Sequence, residues 1–164
     1  VIEHLIRKKD GYYLDTTIGF GGHSSAILEA LDTGSLVAID RDPEAINYLN
    51  SKFKSEKRIS INQACFSELN DLFSGVQFDG ILADIGVSSY QLDNASRGFS
   101  FKQNGPLDMR MNYKSLEDVA SGSAGTSFTV ELYAKSDVSS NCRTLSKYFL
   151  SPPMKIVILP VAAL

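Results

Sequence analysis

Three acidic residues each close a short apolar run: Asp15 after Tyr12, Tyr13 and Leu14, Asp40 after Leu36 to Ile39, and Asp84 after Ile81 to Ala83. Between the first two lies a glycine turn, Gly19-Phe20-Gly21-Gly22, which runs through His23, Ser24 and Ser25 into a helical pattern. Runs of this length bounded by turn residues read as buried parallel strands. Glycine in such a turn permits positive φ and lets a ligand approach the backbone closely. The N–H groups at the start of the following helix favour an anionic group. A strand, a tight turn and a helix start together make a nucleotide-type or cofactor-type site. A parallel sheet brings the three carboxylates to its carboxyl edge, where ligands bind at the topological switch point. Three carboxylates repel a pyrophosphate and attract a cationic sulfonium or amine.

The individual residues sort by what else they could do. At the end of a second strand an acid is placed to accept hydrogen bonds from both ribose hydroxyls of a nucleotide. The competing use of Asp40 is as a helix N-cap, but Asp42-Pro43-Glu44 suits a cap and a proline first turn better, which leaves Asp40 for the ribose. His23 has no second histidine or cysteine near it in sequence, so it reads as a helix-start residue lining the site rather than as a metal ligand or base, and no metal is expected. His4 reads as a surface residue. Phe66 sits after the third strand, where a base can stack on it, or it is plain core.

The elements that must position these groups follow from periodicity. Helical spacing of Val1, Ile2, Leu5 and Ile6 predicts a helix from Val1 to Lys9. Strands are predicted at Tyr12 to Asp15, Gly34 to Asp40, Ile59 to Asn62 and Phe78 to Asp84. Helices are predicted at His23 to Leu31, Pro43 to Lys54 and from Ser67 to near Phe73. The alternation gives an α/β, Rossmann-like core with parallel sheet order 3-2-1-4. With 164 residues, 43% of them hydrophobic, the chain has room for one domain with a real core. A net charge of −3 argues against a surface that binds polyanions all over, so any nucleic acid is held locally. Cys65 and Cys142 form no close pair, and the charged opening VIEHLIRKKD is no signal peptide; both features fit an intracellular protein. The start at Val1 suggests an upstream segment.

The stretches DTTIGFGGHS, AIDRDPEAI, FDGILADIGVSSYQLD and RGFSFKQNGPLDMRM, four motifs in order over about Tyr12 to Asn112, closely resemble the MraW (RsmH) family. Its members are S-adenosylmethionine-dependent methyltransferases that act on the N4 amine of a cytidine in small-subunit ribosomal RNA. The resemblance implies S-adenosylmethionine as cofactor and small-subunit ribosomal RNA, or the small ribosomal subunit, as partner. It implies no membrane and a cytoplasmic setting, or an organellar one in a eukaryote. It implies that Gly21, Gly22 and His23 hold the methionine part of the cofactor, Asp40 the ribose, Phe66 the adenine side, and Asp84 and Gln91 further contacts. Asp84 is also the candidate catalytic residue, hydrogen-bonding either the target amine or the cofactor's ammonium group. The GPLDMRM signature, Gly105 to Met111, then lies near the RNA side. From Arg97 to Lys114, cations interleave with Phe99, Phe101 and Tyr113, which suits either an unpaired RNA strand or a loop covering the cofactor.

After Asn112 the chain departs from the family. Residues 113–164 are expected to form a divergent tail to a 1–112 core, so that the core stops after its fourth strand. Ile156 to Leu159 either adds a strand beside the fourth or belongs to a poorly ordered end. The leading reading is a ribosomal RNA methyltransferase, and the alternative is a non-catalytic cofactor- or RNA-binding fragment. A nicotinamide oxidoreductase fits less well, since Ser24 stands where G-x-G-x-x-G needs its last glycine.

Overall fold

Alternation along the strands decides which side chains meet which layer. The computed structural model describes residues 1–106 and 108–114, together with the backbone of 155–159. In it β1 (Tyr12–Asp15), β2 (Ser35–Asp40), β3 (Ile59–Gln63) and β4 (Gly80–Asp84) form a parallel sheet in the order β3-β2-β1-β4. On one face Leu14, Val37, Ile39 and Ile81 pack against Leu69, Phe73 and Phe78, under α4 (Leu69–Leu72). On the other, Tyr13, Leu36 and Leu82 pack against Leu5, Ile27, Leu28 and Leu31, from α1 (Ile2–Leu5), α2 (Gly22–Ala30) and the residue after it. Ala38 meets Ile18 and Leu49, the latter on α3 (Pro43–Lys52). Helices on both faces of a parallel sheet with its switch between β1 and β4 make a Rossmann-like fold.

One element differs from expectation. The first helix is a single turn rather than nine residues. Ile6 is extended, and the amides of Arg7 and Lys8 donate to the buried Tyr13 hydroxyl at 3.2 and 3.1 Å, while that hydroxyl donates to the Lys8 carbonyl at 2.9 Å. A buried phenol with all its hydrogen-bonding capacity used outweighs four more residues of helix. Of the two readings of Ile156 to Leu159, the added strand is the one found: β5 (Lys155–Leu159) runs parallel beside β4, with Gly80 opposite Lys155 and Asp84 opposite Leu159. The rest of the tail, 115–154 and 160–164, lies outside the described residues, as do Leu107 and Cys142.

Candidate cofactor site

The strand register shapes the edge. Asp15, the last residue of β1, stands opposite Ala38 and Leu82, so β2 and β4 each run two residues further, to Asp40 and Asp84. At about 3.3 Å per residue the two neighbours overhang the end of β1 by roughly 7 Å, framing a notch through which the chain leaves β1. Pairing with both neighbours continues briefly past the strand, as the amide of Thr16 donates to the Leu82 carbonyl and that of Ile18 to the Ile39 carbonyl. The glycine turn therefore crosses the notch at the switch point.

Within it the three carboxylates take unequal positions. Asp15 is fully buried, accepting from the Ser24 hydroxyl at 2.7 Å and from the Thr17 amide at 3.1 Å. Burial raises its pKa from 3.8 to about 6, against the opposing pull of those two hydrogen bonds. Asp40 receives the Gly19 amide on Oδ2 at 2.8 Å and the Asp42 amide on Oδ1 at 2.9 Å, and burial again raises its pKa. Asp84 is the open one, its side chain 44% exposed, with His23 Nδ1 3.6 Å from Oδ2 and its own amide donating to Thr17 Oγ1 at 2.7 Å.

Helix α2 begins at the notch without a side-chain cap. Gly21 is its N-cap at φ 77°, and a Cβ there would stand 2.6 Å from Leu49 Cδ2, so only glycine lets the turn lie on α3. Gly22 is the reverse case: it is exposed, and a Cβ on it would meet nothing within 4 Å. Backbone at a helix start thus faces open space beside Asp84 and His23, with Asp40 on the other wall. Phe66, in the turn that follows β3, is 51% exposed and is not core. The groups present suit a ligand with a cationic part and a ribose. Among the described residues no cluster of three or more His, Cys, Asp or Glu is placed to hold a metal ion, and no helix is long and apolar enough to cross a membrane.

Residues 1–122 match the MraW methylase family. The chain belongs to that family. It is 50% identical over 115 residues to the ribosomal RNA small subunit methyltransferase H of Mycoplasma pneumoniae, over 68% of this chain and 37% of that protein. With the enzyme of the same name from Pseudoalteromonas atlantica it shares 49% identity over 68% of this chain and 37% of the relative, and with that of Xanthomonas campestris pv. campestris 46% over 73% and 35%. The chain thus spans a little over a third of the length of these curated relatives.

The other residues of the MraW motifs lie beside this notch or brace it. Gln91, on α5 (Ser88-capped, Ser89–Asp93), is 4% exposed, and both ends of its amide are taken. Its Oε1 accepts the Ser88 amide at 3.0 Å and its Nε2 donates to Asp42 Oδ2 at 2.8 Å. Arg97, 6% exposed, donates from Nη1 to the same Asp42 oxygen at 2.9 Å and to Glu44, and from Nη2 to the carbonyls of Met111 and Arg110 at 2.8 and 3.2 Å. Arg110 pairs with Asp108. Of the aromatics in this stretch, Phe99 is buried, while Phe101 and Tyr113 are exposed. Arg97, one of the cations that suited either an RNA strand or a loop covering the cofactor, is an internal strut, its buried guanidinium taken up by Asp42, Glu44 and the carbonyls of Arg110 and Met111. Sequence reasoning missed Ser24, Thr17 and the Arg97–Asp42 pair. Only the Asp42 cap had a local signal, and the cap does hold, with Oδ1 accepting the Glu44 amide at 3.0 Å.

Proposed function

We propose that this chain binds S-adenosylmethionine across the notch and transfers its methyl group to the N4 amine of a cytidine in small-subunit ribosomal RNA. One observation carries the reading: the glycine turn runs from Gly19, whose amide donates to Asp40, to His23, 3.6 Å from Asp84, two carboxylates that overhang the end of β1, and its backbone at Gly22 is open. Negative walls draw in a sulfonium and an ammonium group, and the glycine backbone admits a ligand chain. Membership of a methylase family supports the same reading. When bound, the cofactor supplies an electrophilic methyl carbon.

Position supports the following assignment of roles. Gly21, Gly22 and His23 line the methionine part and Asp40 takes ribose hydroxyls with the lone pairs its backbone partners leave free. The exposed face of Phe66 receives the adenine. Asp84, as the half-exposed carboxylate, holds either the ammonium group or the target amine. Gln91 supports the site through Asp42 rather than by contact. An exocyclic amine is a weak nucleophile, its lone pair being delocalised into the ring, so alignment and exclusion of water supply most of the acceleration. As an enzyme of the small ribosomal subunit it works in the cytoplasm, or in an organelle if its source is eukaryotic.

The test is transfer of labelled methyl from S-adenosylmethionine to small ribosomal subunits lacking the modification, with the product nucleoside identified by mass spectrometry. N4-methylated cytidine is expected. Label on another nucleoside refutes the target, and cofactor binding without any transfer leaves the binding-fragment reading in its place.

A further inference from the structure

The signature stretch and the glycine turn are far apart in sequence, yet an unbroken run of hydrogen bonds joins them. The carbonyls of Met111 and Arg110 accept from Arg97 Nη2, and Arg97 Nη1 donates to Asp42 Oδ2. The Asp42 amide donates to Asp40 Oδ1, and Asp40 Oδ2 accepts the Gly19 amide. The central members are dry: the Arg97 and Asp42 side chains are 6% and 3% exposed. Asp42 is fixed from three more sides, by the Glu44 amide, by Gln91 Nε2 and by its place at the start of α3.

The far end is as tightly set. Gly98 has φ 79°, and a Cβ on it would run into the carbonyl oxygens of Asp108 and Pro106; one on Gly105 would run into that of Ala95. The backbone on either side of Arg97, at Ala95 and Gly98, is thus in close contact with Gly105, Pro106 and Asp108, and the Arg97 guanidinium lies 5.4 Å from the Tyr113 ring. Between the buried Arg97 and Asp42 side chains there is no room to absorb a displacement locally, so a change at one end is passed to the other.

We infer that Arg97 is a positioning residue that holds Asp40 and the glycine turn in place from the signature stretch, so that order in residues 98–111 and cofactor affinity are linked. Arginine is needed because one planar fork serves a carboxylate on one nitrogen and two carbonyls on the other; lysine keeps the charge but not both sets of bonds. The link to cofactor rests on the proposed function, whereas the link between the two segments does not. By reciprocity, ligand in the notch orders the signature stretch as much as that stretch improves binding.

Amide exchange by NMR on the whole chain tests it, comparing wild type with Arg97→Lys. Exchange of the Gly19 and Asp42 amides is expected to quicken roughly tenfold or more, while core amides such as those of Leu14 and Ile39 keep their rates. Unchanged rates at Gly19 and Asp42, or rates that rise only in step with the core, overturn the inference. Gly105→Ala, which disturbs the loop from its far side, keeps the test decisive if Arg97→Lys does not fold, and the same two amides are expected to quicken.

Titration with S-adenosylhomocysteine then separates the two readings. Arg97→Lys is expected to weaken binding roughly tenfold, and to have little further effect in the Asp40→Asn background. Additive losses contradict action through Asp40. A wild-type chain that binds nothing refutes the proposed function, with the exchange results still deciding the role of Arg97.

Discussion

Replacing Asp15 by asparagine should make the fold more stable at pH 7, although it removes a fully buried hydrogen-bonded side chain. Burial lifts this carboxyl from 3.8 to about 6, so the folded chain binds the proton more tightly than the unfolded one. Stability from this group is therefore greatest at low pH and is lost as pH rises from about 4 through 6. At about 1.4 kcal/mol per tenfold change in proton affinity, the ionised carboxylate costs the fold about 3 kcal/mol above pH 6. Asparagine fits the same partners: its oxygen accepts the Thr17 amide, and its nitrogen faces a Ser24 hydroxyl that can turn to accept. The exchange of a charge-assisted bond for a neutral one costs about 1 kcal/mol, leaving a net gain of about 2 kcal/mol for Asp15→Asn at pH 7. Urea unfolding of both proteins at several pH values between 5 and 8 reads this directly. The stability difference between variant and wild type should shrink by about 1 kcal/mol on going from pH 7 to 5. A variant less stable than wild type by the same amount at every pH would refute the reasoning.

Gly21 and Gly22 should behave oppositely. Gly21→Ala forces a side chain into positive φ and onto Leu49, which should lower stability by about 1–3 kcal/mol in the same urea assay. Gly22→Ala meets no protein atom and should leave the melting temperature essentially unchanged while weakening cofactor binding, seen by calorimetry. Phe66→Ala, at a side chain half exposed, should likewise spare the melt and reduce affinity for the cofactor. Tyr13→Phe strips the hydroxyl that stops the first helix and should cost about 1–3 kcal/mol in unfolding experiments.

How much of this was legible in the sequence depends on how far apart the partners lie. Strands β1, β2 and β4 were readable because each is an apolar run closed by an acid, and the Asp42 cap because Asp-Pro-Glu is a local signal. The turn glycines were readable too, and φ 77° at Gly21 is what such a residue is for. What was not readable came from distant contacts. Tyr13 ends α1 early through a hydroxyl that no helical periodicity registers. Arg97 looks like a surface cation beside aromatics, but its partners are Asp42 and the Met111 carbonyl, 55 and 14 positions away. The three carboxylates look equivalent as strand ends. Only the register shows that β1 stops two residues short, which buries Asp15 against Ser24 and leaves Asp40 and Asp84 as the walls.

The central claim is that the notch is a cofactor pocket whose ribose acid is Asp40. Calorimetric titration of the whole chain with S-adenosylmethionine, for wild type and for Asp40→Ala, tests it most directly, with thermal melts to confirm that both are folded. The account predicts one-to-one binding that the substitution weakens by about 1–3 kcal/mol. A folded wild-type chain that binds no cofactor, or one whose affinity Asp40→Ala leaves unchanged, would contradict it.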